Sequence, residues 1–339
     1  MMNTTKRSQL HMCLVLILLT IIIGCGAGTS PITHSEAEPT RANPASVQDT
    51  LDTYPLNLNV NGTSITIPAR PERIAALSLD AAEVVLELTN PERVVVVPKS
   101  IENHSLAFRT EEGQQVQHKI AGATSLDPEQ ILSYEADLLI MTKLHDKEKE
   151  ATEILEQSGV PIITLESWST LDAIMNNILT IGTAIGEEEK ATSIVEDMKD
   201  RLSKINSTLH GVDKPNVLVV SPLGPGTGPY LLGSSNISYD LVRRAGAEHA
   251  ADNLGLTRAT KATIEQVIKA DPDNILLIEW QEGITDDIDE IVQTPGWSTL
   301  QAVQNERVLH MPARKLLNPN RYTIDTLEEL ARWLHPGQF

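Results

Sequence analysis

The sequence predicts an α/β fold of two Rossmann-like lobes with parallel sheets, joined by one long helix. Three observations predict this architecture. Short apolar runs alternate with amphipathic helical segments, one helix-to-strand pattern occurs twice, and a long helical stripe separates the two halves. With 339 residues, the chain is also long enough to bury the cores of two lobes of ordinary size.

A β-hairpin pattern begins the folded part, and short apolar runs then mark the strands of the sheets. Residues 56–67 alternate apolar and polar around Asn61-Gly62, which is a strong hairpin signal. The later apolar runs are typical of buried strands, and the helical segments between them predict parallel pairing. These runs are Ile74–Leu77, Val94–Val97, Leu138–Met141, Ile162–Leu165, Val217–Val220, Ile275–Ile278 and Val308–Met311.

An internal repeat supports two related lobes. The pattern Glu-Gln-aliphatic-aliphatic-x-x-acid-x-Asp, followed by a strand, occupies Glu129–Asp137 and again Glu265–Asp273. Two copies of one helix-to-strand unit indicate that each lobe contains it at the same place. Chance likeness between two short helix-to-strand units is the alternative.

A long apolar stripe lies between the halves. Apolar residues from Leu171 to Leu209 recur mostly three or four positions apart, which predicts one helix over residues 171–210. A single helix of this length would span about 55–60 Å at 1.5 Å per residue. Gly182 and Gly186 weaken its middle, so a closely joined pair of helices is the alternative. The N-terminal lobe is then predicted at 54–170 and the C-terminal lobe at 211–339.

A bacterial lipoprotein signal is predicted over residues 1–24, with Cys25 as the lipid-bearing residue. Lys6 and Arg7 form a short basic start, an apolar run comes next, and aliphatic and small residues lead into Cys25. Residues 11–24 are too few for a transmembrane helix, which needs about 20 apolar residues. We expect a chain anchored by an acyl group such as palmitate at the extracytoplasmic face of the cell membrane. An uncleaved anchor or a plain signal peptide is the alternative.

Composition predicts a tether between the signal and the folded body. Residues 25–53 combine the lipidated cysteine with a segment rich in Gly, Ala, Thr, Ser, Pro and Glu, which is typical of a disordered chain. The formal net charge is −19, and loss of the two cations Lys6 and Arg7 with the signal makes it −21. Such a surface repels nucleic acid and anionic headgroups, so no nucleic-acid partner is expected and the lipid supplies the membrane attachment.

Four segments resemble a known family. Ile67–Glu83 is similar to the opening of the lipoprotein-type solute-binding proteins that bring iron–siderophores, haem or cobalamin to ABC importers, a class III group of periplasmic binding proteins. Ala121–Ile140, Tyr239–Ala247 and Leu334–Phe339 match further family segments, and the resemblance covers about residues 55–339. It implies two α/β lobes joined by a long helix, with a ligand cleft between the lobes.

The resemblance also implies partners. In this family an acidic residue on each lobe pairs with arginines of the membrane permease, which works with its ATPase. By motif these residues map to Glu83 and Asp240. Each has a local alternative, since Asp80–Glu83 has the pattern of a capping box and Asp240 lies near a predicted helix start. A monomer that binds a small metal chelate is expected.

Candidate ligand contacts lie in the loops after the predicted strands, because open α/β sheets bind ligands beyond the carboxyl ends of their strands. Arginine would suit the oxygen-rich, often anionic face of a ferric siderophore, whereas flat aromatic walls would suit a corrin or porphyrin. Solvated charges and core packing are the plainer alternatives. These candidates are Lys99, His104, Lys143, His145, Trp168, Tyr230, Trp280 and Arg314, the last beside Lys315. Arg258, on a loop before the second copy of the repeat helix, is a further candidate.

The sequence predicts a binding protein rather than an enzyme. It contains no G-x-S-x-G, H-E-x-x-H or P-loop motif, and its histidines lack metal-ligand spacing. The glycines at 224, 226 and 228 are interrupted by prolines and do not form a phosphate loop. We therefore expect no catalytic residue, metal or cofactor, and a ferric siderophore as ligand, with cobalamin or haem as the alternative. An exported two-domain α/β enzyme, a binder of bare metal ions, and an adhesion or sensor protein are the rival classes.

Overall fold

The computed structural model describes residues 54–122, 126–142, 149–165, 167–221, 228–281, 283 and 286–339. The predicted signal, Cys25 and the tether, together with the candidate ligand contacts Lys143 and His145, lie outside the described residues. Of the helices within these ranges, none has both the length and the apolar character that a membrane crossing requires.

Strands alternate with helices from β3 to β7, as predicted, whereas the second half also contains neighbouring elements of the same kind. The first half contains β1 Leu56–Val60, β2 Thr63–Ile67, β3 Ile74–Ala76, α1 Leu79–Leu88, β4 Val94–Pro98, α2 Thr110–Gln115, β5 His118–Ile120, α3 Pro128–Ser133, β6 Leu138–Thr142, α4 Lys149–Gln157 and β7 Ile162–Leu165. Two helices come next, α5 Leu171–Ile185 and α6 Glu188–Thr208. The second half contains β8 Asn216–Ser221, β9 Tyr230–Leu231, α7 Ile237–Arg244, β10 Glu248–His249, β11 Thr260–Lys261, α8 Ile264–Ala270, β12 Asn274–Glu279, α9 Asp286–Gln293, α10 Gln301–Gln304, β13 Val308–Pro312, α11 Ala313–Leu317 and α12 Thr323–Leu334.

The N-terminal sheet is parallel throughout. Its strand order is β5-β4-β3-β6-β7, with every neighbouring pair parallel. The four apolar runs predicted in this half form β3, β4, β6 and β7, and β6 is buried along its whole length. This sheet confirms the predicted parallel architecture, because parallel strands of this type are covered on both faces and carry continuous apolar runs.

The C-terminal sheet is mixed rather than purely parallel. β8, β12 and β13 are parallel neighbours, as predicted, and β10 also pairs with β8 in parallel. β9 runs antiparallel to β8, and β11 antiparallel to β9. The expectation of a parallel sheet is wrong at this edge, because residues 222–229 are too few for the crossover of a dozen or more residues that parallel pairing requires.

The predicted hairpin is confirmed and is attached to the N-terminal lobe. β1 and β2 pair antiparallel with Val60 opposite Thr63, and the turn residues Asn61 and Gly62 have φ values of 53° and 82°. Two left-handed residues form the turn that matches the twist of a two-residue hairpin. The side chain of Asn61 donates to the carbonyl of Thr164 in β7 over 3.0 Å, which fixes the hairpin against the sheet.

The internal repeat corresponds to one structural unit used twice. α3 precedes β6 and α8 precedes β12. β6 pairs with β3 and β12 pairs with β8, and β3 and β8 are the first strands of their sheets in chain order. The repeated acids Glu135 and Asp271 both have positive φ, at 51° and 43°. The repeated aspartates also match, because Asp137 accepts from the amide of Arg73 ahead of β3, and Asp273 accepts from the amide of Asn216 in β8.

The stripe predicted as one long helix is two helices that pack against each other. α5 ends at Gly186, which caps it with a φ of 72°, and α6 begins two residues later. The single helix is therefore wrong and the closely joined pair is correct, because the left-handed residue breaks the helix where glycine permits it. Glu187 fixes the turn, since its carboxylate accepts from Arg70 over 2.9 Å and from Arg93 over 2.8 Å.

One hydrophobic core connects both lobes through this helix pair, α5 and α6. Its buried side chains include Val85 from α1, Ile181 from α5, Met198 from α6, Leu241 from α7 and Leu327 from α12. Two smaller clusters cover the other face of each sheet. Because packed cores resist deformation, the shared cluster limits independent motion of the two lobes.

Gly182→Ala is expected to destabilise the protein by about 1–3 kcal/mol, although alanine is the better helix former. A Cβ at position 182 would lie 2.3 Å from the Cβ of Ala191, so α5 and α6 would have to separate. Urea unfolding measures the change. Gly337→Ala is the control, because its added methyl meets no atom within 4 Å and should cost less than about 0.5 kcal/mol. A Gly182→Ala variant as stable as the parent would contradict the tight contact.

Candidate functional site

Each lobe holds one of the predicted tryptophans at the carboxyl edge of its sheet. Trp168 comes after β7, and its indole Nε1 donates to Thr142 Oγ1, at the end of β6, over 2.8 Å. Trp280 comes after β12, and its Nε1 donates to Ser221 Oγ, at the end of β8, over 2.9 Å. In both lobes the indole is tied to a hydroxyl on the last residue of the neighbouring strand.

The two indoles differ in burial. Trp168 is 6% exposed and belongs to the shared core. Its ring is therefore packed as a core residue, which was the plainer alternative to a ligand contact. Trp280 is half-buried and packs against the same core. A direct ligand contact by either ring stays a prediction, and Trp280 is the more accessible of the two.

In the N-terminal lobe, the side chain of Asp80 is hydrogen-bonded to the same Thr142 that binds Trp168. Asp80, in the first turn of α1, accepts at Oδ1 from Ser78 Oγ over 2.5 Å, from Thr142 Oγ1 over 2.8 Å and from the amide of Ala81 over 2.7 Å. Burial raises the pKa of Asp80 above its ordinary value, while these hydrogen bonds lower it. Sequence analysis placed Asp80 only in a capping box. The available signal was an acid in the first turn of the helix that follows a buried strand.

The C-terminal lobe also carries an acid at its strand ends. Glu279, the last residue of β12, is 7% exposed, and its Oε2 accepts from the amide of Gly283 over 3.3 Å. His310 Nδ1 in β13 lies 3.6 Å from Glu279 Oε1. The carboxyl edges of both sheets therefore combine an indole, a hydroxyl and a carboxyl group.

Two predicted ligand contacts meet across the lobes. Arg314 lies in α11, just after β13. Its Nη1 donates to the carbonyl of His104 over 2.8 Å. Its backbone amide donates to the carbonyl of Ser105 over 2.9 Å, and its guanidinium lies 5.6 Å from the ring centroid of Phe108. His104 is exposed, and its Nδ1 lies 3.0 Å from Thr110 Oγ1. The structure thus brings Arg314 and His104 together, which the sequence separates by 210 positions.

The remaining candidates are dispersed. Lys99 is exposed directly after β4, and Arg258 is exposed ahead of β11. Tyr230 is half-buried in β9. Lys315 forms an ion pair with Glu329 in α12 over 2.5 Å. A ligand role for Lys99, Tyr230 and Arg258 stays a prediction.

Glu83 lies inward. It is 2% exposed, and its Oε1 accepts from the amide of Phe108 over 2.6 Å and from Asn318 Nδ2 over 3.1 Å. Burial raises the pKa of Glu83 to about 7. The capping-box alternative is wrong, because α1 begins at Leu79 and Ser78 is its N-cap. Permease docking by Glu83 stays a prediction, and it would require this carboxyl group to leave its partners.

Asp240 is also engaged within the protein. Its Oδ2 accepts from the amide of Leu171, the first residue of α5, over 2.9 Å and from Arg244 Nε over 2.7 Å. The carboxylate therefore ties α7 to the start of the helix pair. Docking by Asp240 stays a prediction as well, and its present contacts show a structural role.

We define the lobe junction as α1 and residues 103–109 of the N-terminal lobe against residues 314–322 of the C-terminal lobe. Phe108 and Tyr322 stack with ring centroids 4.8 Å apart, and Arg109 Nη2 donates to the hydroxyl of Tyr322 over 2.8 Å. Glu87 pairs with both Arg109 and Arg321. Glu83 and its partner Asn318 lie at the centre of this junction.

Two exposed acids that sequence analysis did not select occupy equivalent places in the lobes. Glu129 lies in the first turn of α3 and Glu265 in the first turn of α8, and both are exposed. Each helix has a side-chain cap, from Asp127 and Thr263. The signal was the internal repeat itself, which begins at these two glutamates. Within the described ranges, no group of three or more His, Cys, Asp or Glu residues converges as a metal site.

Two α/β lobes around a shared helix pair, with polar and aromatic groups at the carboxyl edges of both sheets, define the fold of the class III periplasmic binding proteins. Residues 74–315 match the periplasmic binding protein family, and the chain belongs to that family. This result confirms the resemblance found from the sequence.

Relatives and solved structures agree with the assignment. The chain is 22% identical over 327 residues to YvrC of Bacillus subtilis, an uncharacterised ABC transporter substrate-binding lipoprotein, with 96% of each chain covered. It is 22% identical over 271 residues to a cobalamin-binding protein of Halobacterium salinarum, covering 78% of this chain and 67% of the relative. The apo form of the haem-binding protein RhuT from a Roseiflexus species superposes with a TM-score of 0.67 at 21% identity, covering 79% of this chain and 99% of RhuT.

Glu83→Gln is expected to change how stability depends on pH. Because the folded-state pKa of about 7 lies above the ordinary 4.5, the contribution of Glu83 is complete below pH 4.5 and is lost as the pH rises to 7. The full loss is about 3 kcal/mol. Glutamine does not titrate, so the variant should gain about 1–3 kcal/mol relative to the parent between pH 4.5 and pH 7.5.

Urea unfolding at pH 4.5, 6 and 7.5 measures this difference. Asp197→Asn, which removes one charge from the exposed face of α6, is the control and should follow the pH profile of the parent. Parallel profiles for Glu83→Gln and the parent would show that the buried carboxyl group does not titrate in this range.

Proposed function

We propose that the chain is the solute-binding lipoprotein of an ABC importer, which captures a metal chelate outside the cell membrane and delivers it to the permease. The observation that carries the proposal is the pair of sheets whose carboxyl edges each hold an indole bonded to a strand-end hydroxyl, where α/β sheets bind ligands. Family membership and the likeness to an ABC transporter substrate-binding lipoprotein support it. The exported two-domain enzyme has no support among these relatives.

A ferric siderophore is the proposed cargo. Arg314 and the exposed His104 lie together at the lobe junction, and a guanidinium suits the anionic oxygens of such a chelate. Aromatic residues make up 3% of the chain, which provides few flat walls for a porphyrin or corrin. Cobalamin and haem remain the alternative cargoes, in keeping with the relatives that bind them.

The lipid anchor is part of the proposal. An acyl group on Cys25 would hold the body to the membrane, and residues 26–53 would give it reach. A flexible segment of this length has a root-mean-square span of about 30 Å, so the body could find its permease by lateral diffusion. Likeness to the substrate-binding lipoprotein YvrC of Bacillus subtilis supports the anchor.

Fluorescence titration tests the cargo. The body from residue 54 onward is mixed with a ferric trihydroxamate siderophore, its iron-free form, cyanocobalamin and hemin, while tryptophan emission is recorded. We expect saturable quenching by the ferric siderophore and none by its iron-free form, because Trp168 and Trp280 lie at the strand ends. If only cyanocobalamin or only hemin bound saturably, that compound would replace the ferric siderophore as the proposed cargo. The absence of any response would contradict the import function.

Glu129 and Glu265 are the acidic pair that we propose for permease docking. They are exposed, they occupy matching positions of the repeat, and each lies on a helix that leads into the strand beside the central strand of its sheet. Permease arginines can reach such carboxylates without disturbing the fold. In contrast, Glu83 and Asp240 already have partners inside the protein.

Charge reversal tests this docking pair. Glu129→Lys and Glu265→Lys should each reduce cellular uptake of the cargo at least about tenfold, because opposed like charges at an interface cost several kcal/mol. Cargo affinity of the purified variants should not change. Asp197→Lys, on the exposed face of α6, is the control and should leave uptake intact. Normal uptake with both glutamates reversed would place docking elsewhere.

A further inference from the structure

Asp80 has an unusual environment for an acidic side chain. Its three hydrogen bonds from Ser78, Thr142 and Ala81 all meet one oxygen, Oδ1. Within the described part of the chain, no arginine, lysine or histidine forms an ion pair with Asp80. Each of these donors is a neutral hydroxyl or amide, so none of them offsets the negative charge of the ionised Asp80 side chain.

Three other acids with restricted exposure have cations beside them, whereas Glu83, enclosed at the lobe junction, accepts from neutral donors only, as Asp80 does. Glu187 binds Arg70 and Arg93, Glu87 pairs with Arg109 and Arg321, and Asp240 pairs with Arg244. Removing a carboxylate from water without a cation is costly, so the arrangement around Asp80 needs a reason. A cation brought by a ligand would supply one.

Asp80 is placed where a ligand can reach it. It lies just beyond the carboxyl end of β3, and Thr142 ends β6, so the group lies at the edge of the parallel sheet where α/β folds bind ligands. Its neighbours are closed off, with Ser78 3% and Thr142 1% exposed, whereas Asp80 itself is partly exposed. The two hydroxyls therefore hold Oδ1 of Asp80, and Oδ2 accepts from no donor among the residues that the structure describes.

Helix capping accounts for only part of this geometry. An acid in the first turn of α1 favours the helix dipole, and Asp80 accepts from the amide of Ala81 there. However, capping does not require the two hydroxyls or the indole of Trp168, which donates to the same Thr142 oxygen. Thr142 Oγ1 accepts from the indole and donates to Asp80, so the indole, the hydroxyl and the carboxylate form one ordered chain.

We propose that Asp80 binds a protonated amine of the cargo, and that Ser78, Thr142 and Trp168 hold the carboxylate in place for it. The inference rests on the proposed import function and adds to it the chemical class of the group recognised in the N-terminal lobe. An ammonium would bind to Oδ2 of the carboxylate through a charge-assisted hydrogen bond. Arg314, from the other lobe, suits the anionic oxygens of the same chelate.

Calorimetric titration with a matched pair of probes tests the proposal. One probe is a linear ferric trihydroxamate that ends in a primary ammonium, and the other is the same chelate with that amine acetylated. The parent protein should bind the ammonium form about 10- to 100-fold more tightly. Asp80→Asn should remove this preference. Asp197→Asn, which removes one charge from α6, should keep it.

Each outcome has a definite meaning. Equal affinity of the parent for the two chelates, or an unchanged preference in Asp80→Asn, would overturn the assignment of Asp80 and leave the import function standing. So would binding of only cyanocobalamin or hemin, since neither carries an ammonium. Failure to bind any of these compounds would overturn both proposals. The comparison of the two chelates on the parent needs no variant, so it remains decisive if Asp80→Asn folds poorly.

Discussion

The rest of the structure depends on the hydrophobic core that both lobes share. Buried side chains of α1, α5, α6, α7 and α12 form one continuous cluster, so a swing of one lobe against the other would separate packed surfaces. Hydrogen bonds across the lobe junction, from Asn318 to Glu83 and from Arg314 to His104, add polar contacts at the same place. The shared core and these contacts together limit hinge motion between the two lobes.

The acidic residues of this protein differ in how exposed they are, and the exposure of each acid limits whether it can bind another protein. Glu83 is enclosed at the lobe junction, and its raised pKa of about 7 results from that enclosure. Glu129 and Glu265 have the same side chain, but they lie exposed on short capped helices. A group that must bind another protein has to be accessible at little cost, whereas a buried carboxyl group would first lose its amide and Asn318 partners. The family pattern of one acid on each lobe therefore fits the repeat better than it fits Glu83 and Asp240.

Much of the fold could be predicted from the sequence because its signals are local. Continuous apolar runs located the strands, Asn61-Gly62 located the hairpin, and the repeat located the same unit in both lobes. The antiparallel β9 was missed because it is two residues long and has no apolar run. The candidate site was harder. The contact of Arg314 with His104 and the burial of Glu83 depend on residues more than 200 positions apart, and no local pattern records such distances.

The candidate site has a cation in one lobe and an acidic side chain in the other. The chain as a whole carries −19, so an anionic chelate would be repelled by most of the surface and attracted mainly near local cations such as Arg314. Asp80 lies in the other lobe, where it accepts from Thr142, and the same Thr142 oxygen accepts from the indole of Trp168. The proposed chelate, with anionic oxygens and an ammonium, carries one group that suits Arg314 and one that suits Asp80. A ligand with only one of these features would leave one group unmatched, and that difference is a physical basis for selecting among metal chelates.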